Sequence, residues 1–258
     1  MDWLYPLSGF LVGTLVGLTG MGGGSLMTPL LILLFGVHPL TAVGTDLLYA
    51  AAMKAAGTAI HSRKGNVDWR VAGLLAVGSV PATVLTIWVL SRVPKQSPTT
   101  ASIISISIGG ALIIAAVAIF FRRRMRDYAL ARAKSATQTR YPGPITVVFG
   151  AALGVLVSLC SVGAGALGVA VLFFLYPRLP PVRIVGSDLA HAVPLTLCAG
   201  LGHWFIGNVD WYIVGALLLG SLPGVSIGSH LATRISDRFL LPVLAGMLVL
   251  IGLRLIAS

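Results

Sequence analysis

The run Gly20-Met21-Gly22-Gly23-Gly24-Ser25 interrupts an apolar segment that holds no Asp, Glu, Lys or Arg from Trp3 to Thr45. Consecutive glycines break a helix, each costing about 1 kcal/mol relative to alanine. At membrane depth a broken helix must satisfy its freed backbone groups, so it persists only where it lines a cavity or packs on protein. A half-helix starting near Gly24 would aim unbonded N–H groups into such a cavity, and a helix N-terminus attracts anions. Gly22, Gly23, Gly24 and Ser25 are therefore candidate anion ligands, with Gly163 and Gly165 of the weaker run Gly163-Ala164-Gly165-Ala166 as their counterparts. The competing reading is close helix packing, which calls for glycine at every fourth position rather than three in a row.

Asp46 and Asp188 follow Thr45 and Ser187 inside apolar stretches. A charge in a membrane is costly and by default a functional candidate. Two readings stand side by side: coupling to a proton or cation, or a local cap accepting backbone N–H bonds. In either case the Thr45 and Ser187 hydroxyls would face the same cavity and join the substrate ligands. Lys54 lies eight residues beyond Asp46, about two turns along the same helical face. It would balance a substrate anion or pair with Asp46; snorkelling to an interface is the alternative. Its counterpart in the second half is Thr196. His191 is a minor proton-coupling candidate beside His61 and His203, because a lone membrane histidine more often bonds a neighbouring helix. Cys160 and Cys198 match no metal spacing. No nucleophile–base pair or His-Glu-x-x-His pattern is present, so neither an enzyme, a metal nor a cofactor is expected.

The elements that must position these residues are membrane helices. Hydrophobic residues make up 57% of the 258, charged residues only 10%, and the mean hydropathy is +0.95. A soluble domain would carry about 25% charged residues. Further charge-free runs cover Val71–Ser91, Gln96–Phe121, Tyr141–Pro177, Leu189–Val209 and Trp211–Thr233, most of them long enough for one crossing of about 20 residues. The net charge of +11 comes without a basic patch interleaved with aromatics, so it reads as the cytoplasmic-loop excess of a multi-pass cell-membrane protein rather than a nucleic-acid surface. Met1-Asp2-Trp3 has neither a basic n-region nor a cleavage site, so the first apolar stretch is expected to stay in the mature chain.

The chain also repeats itself. Gly44-Thr45-Asp46-Leu47 returns as Gly186-Ser187-Asp188-Leu189, Gly65-Asn66-Val67-Asp68-Trp69 as Gly207-Asn208-Val209-Asp210-Trp211, and Gly78-Ser79-Val80-Pro81 as Gly220-Ser221-Leu222-Pro223, each 142 residues apart. Upstream the offset is 141, as for Gly9 with Gly150 and Gly24 with Gly165. The expectation is an all-α integral membrane protein: a first repeat over 1–122, a basic cytoplasmic linker over 123–143 and a second repeat over 144–258. Each repeat has four membrane segments, eight in all, the first one broken or re-entrant. If the first segments cross, loop Lys and Arg divide as eleven inside and six outside. If they turn back, the repeats are inverted and the split is fourteen to three, the better match to the positive-inside rule. Pro81 and Pro223 would kink the third segments.

The glycine-rich break, Pro29, Ala42-Val43-Gly44-Thr45 and Gly65-Asn66-Val67-Asp68-Trp69 together resemble the sulfite exporter (TauE/SafE) family over nearly the whole chain. The second half departs from the pattern where Ala164 and Ala166 replace glycines and no proline matches Pro29. The resemblance implies a permease for sulfite, sulfoacetate, other organosulfonates or thiosulfate, commonly an exporter, with the lipid bilayer as its medium and a homodimer as its assembly. A passive anion channel and an importer of thiosulfate-like anions are the alternatives.

Overall fold

A computed structural model describes residues 3–19, 24–93, 98–134, 142–162, 165–231 and 237–257. Among these there are ten α-helices and no strand. Gly22, Gly23 and Gly163 lie outside the described residues, as do residues 135–141 at the end of the expected linker.

The long first segment of each half becomes two helices. In the first half these are α1 (Leu4–Thr19) and α2 (Gly24–Phe35); in the second they are α6 (Pro142–Cys160) and α7 (Leu167–Leu175). Both pairs are hairpins. Tyr5 near the start of α1 stacks on Phe35 at the end of α2, and Thr146 in α6 bonds Tyr176 just after α7. At 1.5 Å per residue α2 is about 18 Å long and α7 about 14 Å, well short of a hydrocarbon core of about 30 Å. Among the described residues each first segment is thus two helices rather than one continuous crossing helix.

Helices α3 (Pro39–Arg63) and α4 (Trp69–Ser91) are joined by the Gly-Asn-Val-Asp-Trp block, as are α8 (Pro181–Phe205) and α9 (Trp211–Leu231). The chemistry of this block explains its turn. Gly65 and Gly207 take positive φ (67° and 74°), the left-handed position that closes a helix at little cost only for glycine. The next amides bond back to His61 O and His203 O at 2.9 and 2.8 Å. Asp68 then caps α4, accepting from the Arg70 and Val71 amides, and Asp210 caps α9, accepting from Tyr212 and Ile213. Pro81 and Pro223 sit inside α4 and α9 without ending either helix.

Helix α5 (Pro98–Lys134) does not stop at Phe121. It carries the expected linker's arginines in helical form to Lys134, since Arg, Met, Ala and Leu all favour helix. Helix α10 (Asp237–Ala257) closes the described chain.

The main packings join one half to the other: α1 with α9, α4 with α6, α3 with α8 and α5 with α10. Small residues set them. Gly9 and Gly13 press on the backbone of Leu217 and Ser221, and Gly150 and Gly154 on Leu75 and Ser79. This is the spacing of four that lets membrane helices approach closely. The rising order of these contacts makes α1 parallel to α9 and α6 parallel to α4. By contrast Gly57 meets Leu189 while Gly200 meets Leu48, so α3 and α8 run antiparallel.

The surface is apolar and the interior polar. Leu219, Leu250 and Val148 are 73%, 71% and 69% exposed, whereas Thr28, Asp46, Lys54, Ser79, Asp188 and His191 are buried. Only a hydrocarbon surround favours that distribution. Among the described residues five helices are long and apolar enough to cross a membrane: α4, α6, α8 and parts of α5 and α9. The sequence reading expects eight membrane segments. Helix α3 has the length but carries Asp46, Lys54 and Arg63, which lower its apolar character.

Candidate functional site

The antiparallel pair α3 and α8 brings the intramembrane charges to the centre. Asp46 is two turns into α3 and fully buried. Its Oδ2 accepts a hydrogen bond from Thr28 Oγ1 of α2 at 2.5 Å. The Ser161 hydroxyl, from the turn after α6, faces the same carboxylate, although neither Asp46 Oδ1 nor Ser161 Oγ completes a hydrogen bond among the described residues. Ser161 has φ 57°, a conformation that non-glycine residues adopt at a cost of about 1–3 kcal/mol.

Asp188 holds the matching position in α8. Its carboxylate lies against the α-carbon of Gly168 in the first turn of α7, where any Cβ would overlap it. Each acid therefore sits beside the opening turns of its own half's short helix, where partial positive charge favours an anion. Lys54 is 2% exposed and lies within electrostatic reach of both Asp188 and Asp46. It starts about 22 Å along α3, an axis of about 37 Å, and so cannot snorkel readily to either end.

Two polar pairs flank the charges. His191 Nε2 and Ser79 Oγ are 2.9 Å apart, and Tyr49 OH and Ser221 Oγ 2.8 Å apart. His191 and Tyr49 occupy positions 142 apart, as do Ser221 and Ser79. Ser221 donates its proton to Gly9 O at 2.8 Å, so Tyr49 is the donor to Ser221. His191 Nδ1 has no hydrogen-bond partner among the described residues.

The sequence has relatives. The family model described as sulfite exporter TauE/SafE matches residues 5–255. The chain belongs to the TauE/SafE family. It is 38% identical over 250 residues to the "Probable membrane transporter protein YjnA" of Bacillus subtilis (strain 168), covering 97% of this chain and 98% of that one. It is 29% identical to the "Probable membrane transporter protein YdhB" of the same organism, covering 93% of this chain and 97% of the relative. A "Probable membrane transporter protein" of Xylella fastidiosa (strain 9a5c) is also 29% identical, over 94% of this chain and 90% of its own. No solved structure matches. The TauE/SafE chain is thus a multi-pass membrane transporter protein.

Of the residues expected to form the TauE/SafE site, Asp46, Lys54, Asp188 and His191 converge. Gly24 opens α2, with Ser25 next to it, while Gly165 has φ 111° in the turn before α7. Thr45 and Ser187 are placed differently from the expectation. Thr45 Oγ1 accepts the Asp210 amide at 3.1 Å, and Ser187 Oγ accepts the Asp68 amide at 2.8 Å while donating to Arg183 O. Both hydroxyls tie one half to the capping turn of the other. His203 binds Ser158 O at 2.9 Å, the helix-bonding role anticipated for membrane histidines. Sequence reasoning missed Thr28, Tyr49, Ser79, Ser161 and Ser221. A signal existed for Ser79 and Ser221, since Gly-Ser-Val/Leu-Pro is one of the repeated blocks.

Proposed function

We propose that this chain is a secondary transporter that exports small sulfur-containing anions, such as sulfite or organosulfonates, across the cell membrane together with a proton. The observation that carries the reading is Lys54, buried within electrostatic reach of two buried carboxylates. With all three ionised the centre has a net charge of −1 and repels an anion. Protonating one acid makes it neutral and leaves the ammonium available to the substrate. The protonated acid also withdraws its negative charge from the first turns of α2 or α7, which then favour an incoming anion. Anion and proton therefore enter together.

In this reading the chain is two inverted repeats with a re-entrant hairpin opening each. What supports it is the pairing of counterparts in opposite directions, α3 against α8, and the return of α2 and α7 toward the starts of α1 and α6. The same topology gives the fourteen-to-three distribution of Lys and Arg that puts the basic linker in the cytoplasm. Substrate access would alternate by movement of one bundle against the other around the fixed charges.

The test is flux in proteoliposomes of purified protein, with sulfite, sulfoacetate, thiosulfate and sulfate offered in turn, with and without a pH gradient. Saturable, gradient-driven movement of one of them, lost in Lys54→Met, is the expected result. Flux indifferent to the gradient points to a passive channel, and no flux of any of the four removes the substrate assignment.

A further inference from the structure

The two ends of the molecule differ in chemistry at matching positions. Tyr5 and Thr146 stand 141 residues apart, each near the start of its half's first helix. At one end Tyr5 stacks on Phe35, with ring centroids 4.4 Å apart, and meets Tyr212 edge-on at 6.4 Å. At the other end Thr146 instead shares a 2.8 Å hydrogen bond with the Tyr176 hydroxyl, and Arg70 stands where Tyr212 stands in the other half. A cavity of about 560 Å³ opens at this second end, with Arg70, Leu74, Tyr176 and Arg178 in its wall. Asp68 is there too, its Oδ1 already engaged in capping α4. The groove at the first end is lined by Trp3, Pro6, Trp211, Tyr212 and Leu219, with no charged residue among the described lining.

Guanidinium groups present a planar fork that matches an oxyanion, and with Arg70 and Arg178 against Asp68 the wall keeps a net positive charge, which concentrates anions. We infer that the cavity walled by Arg70 and Arg178 is a loading vestibule for a free small oxyanion, opposite an end closed by the Tyr5–Phe35–Tyr212 cluster. The vestibule lies at the end where α5 runs into the basic segment, since α4 and α6 both begin there. Its purpose rests on the transporter reading, but its existence is tested without transport. A lipid phosphate offers the same oxyanion chemistry, so the experiment separates the two sources.

Leu74→Cys in a Cys198→Ser background places a thiol in the vestibule wall; Cys160 is buried. The protein is held in nanodiscs of neutral phosphatidylcholine and labelled with anionic or cationic methanethiosulfonate reagents, with rates read by mass spectrometry. The anionic reagent is expected to be favoured, and Arg70→Gln with Arg178→Gln to lower the anionic-to-cationic rate ratio about tenfold, the lower end of the range for charge focusing. Arg70→Lys with Arg178→Lys should keep most of the ratio. Millimolar inorganic sulfate should slow anionic labelling of the parent protein, a readout that needs no arginine variant. A ratio unchanged by the glutamine variants, or protection by added phosphatidylglycerol but not by sulfate, overturns the proposal; the second outcome assigns the arginines to lipid head groups.

Discussion

Lys54→Met keeps a long apolar stem in the centre of the bundle and removes only the ammonium. A hydrogen bond from a charged group contributes about 1.5–3 kcal/mol. At a factor of ten per 1.4 kcal/mol, its loss raises the dissociation constant of a bound anion about 12- to 150-fold. The same change leaves Asp46 and Asp188 without their shared counter-charge. Breaking a buried pair costs at most about 3–5 kcal/mol if the acids stay ionised, and either acid avoids much of that by retaining a proton. Lys54→Met should therefore weaken anion binding and abolish drive by a pH gradient together. Adding Asp188→Asn should recover thermal stability but not transport. Counterflow in proteoliposomes gives KM, and size-exclusion thermostability in detergent gives the stability half. A KM within twofold of the parent, with the pH gradient still driving flux, would refute a substrate site at Lys54.

Asp46→Asn mimics the protonated acid, so parent transport should rise as pH falls while the variant's profile is flattened; equal profiles would move the coupling elsewhere. Gly168→Ala forces a methyl group into the Asp188 carboxylate and should cut flux at least tenfold without changing the elution profile. Normal flux in that variant would separate Asp188 from the α7 turn. Ser187→Ala and Thr45→Val each leave a partly buried amide unsatisfied, at a cost of about 1–3 kcal/mol, seen as a lower melting temperature. Because Ser187 holds the Asp68 turn and Thr45 the Asp210 turn, at opposite ends of the bundle, the two losses should add to within about 0.5 kcal/mol; no loss in either variant would contradict the inter-half role.

What the sequence made legible was what local chemistry dictates. Gly65-Asn66-Val67-Asp68-Trp69 specifies a left-handed helix stop followed by an aspartate cap, and both copies fold that way. The division of the first segment into α1 and α2 follows from glycine's cost in a helix. Thr28 escaped notice because a lone threonine in an apolar helix gives no local signal; its bond to Asp46 depends on the hairpin between α2 and α3. Ser161 became important only when the α6–α7 hairpin delivered it to the other half's acid. Thr45 and Ser187 point to backbone partners in the opposite half for a related reason. Adjacent residues on a helix point about 100° apart, so the neighbour of a cavity acid faces another element, here the opposite half's capping turn.

The matching frames of the halves isolate the substitutions that break the symmetry. The acids are kept at Asp46 and Asp188, but the lysine occurs once, opposite Thr196. One ammonium between two carboxylates leaves a deficit of one positive charge, which in the proposed mechanism a proton fills before an anion is accepted. A second lysine would fill it permanently. Thr196→Lys should therefore let anions bind at high pH and flatten the pH dependence of flux. Thr196 is fully buried with its hydroxyl bonded to Ala192 O, so the larger side chain is expected to lower stability by about 1–3 kcal/mol. Flux and its pH profile are accordingly measured on the folded fraction. If that fraction still needs acid pH to the same degree as the parent, charge balance at Lys54 is not what couples the proton.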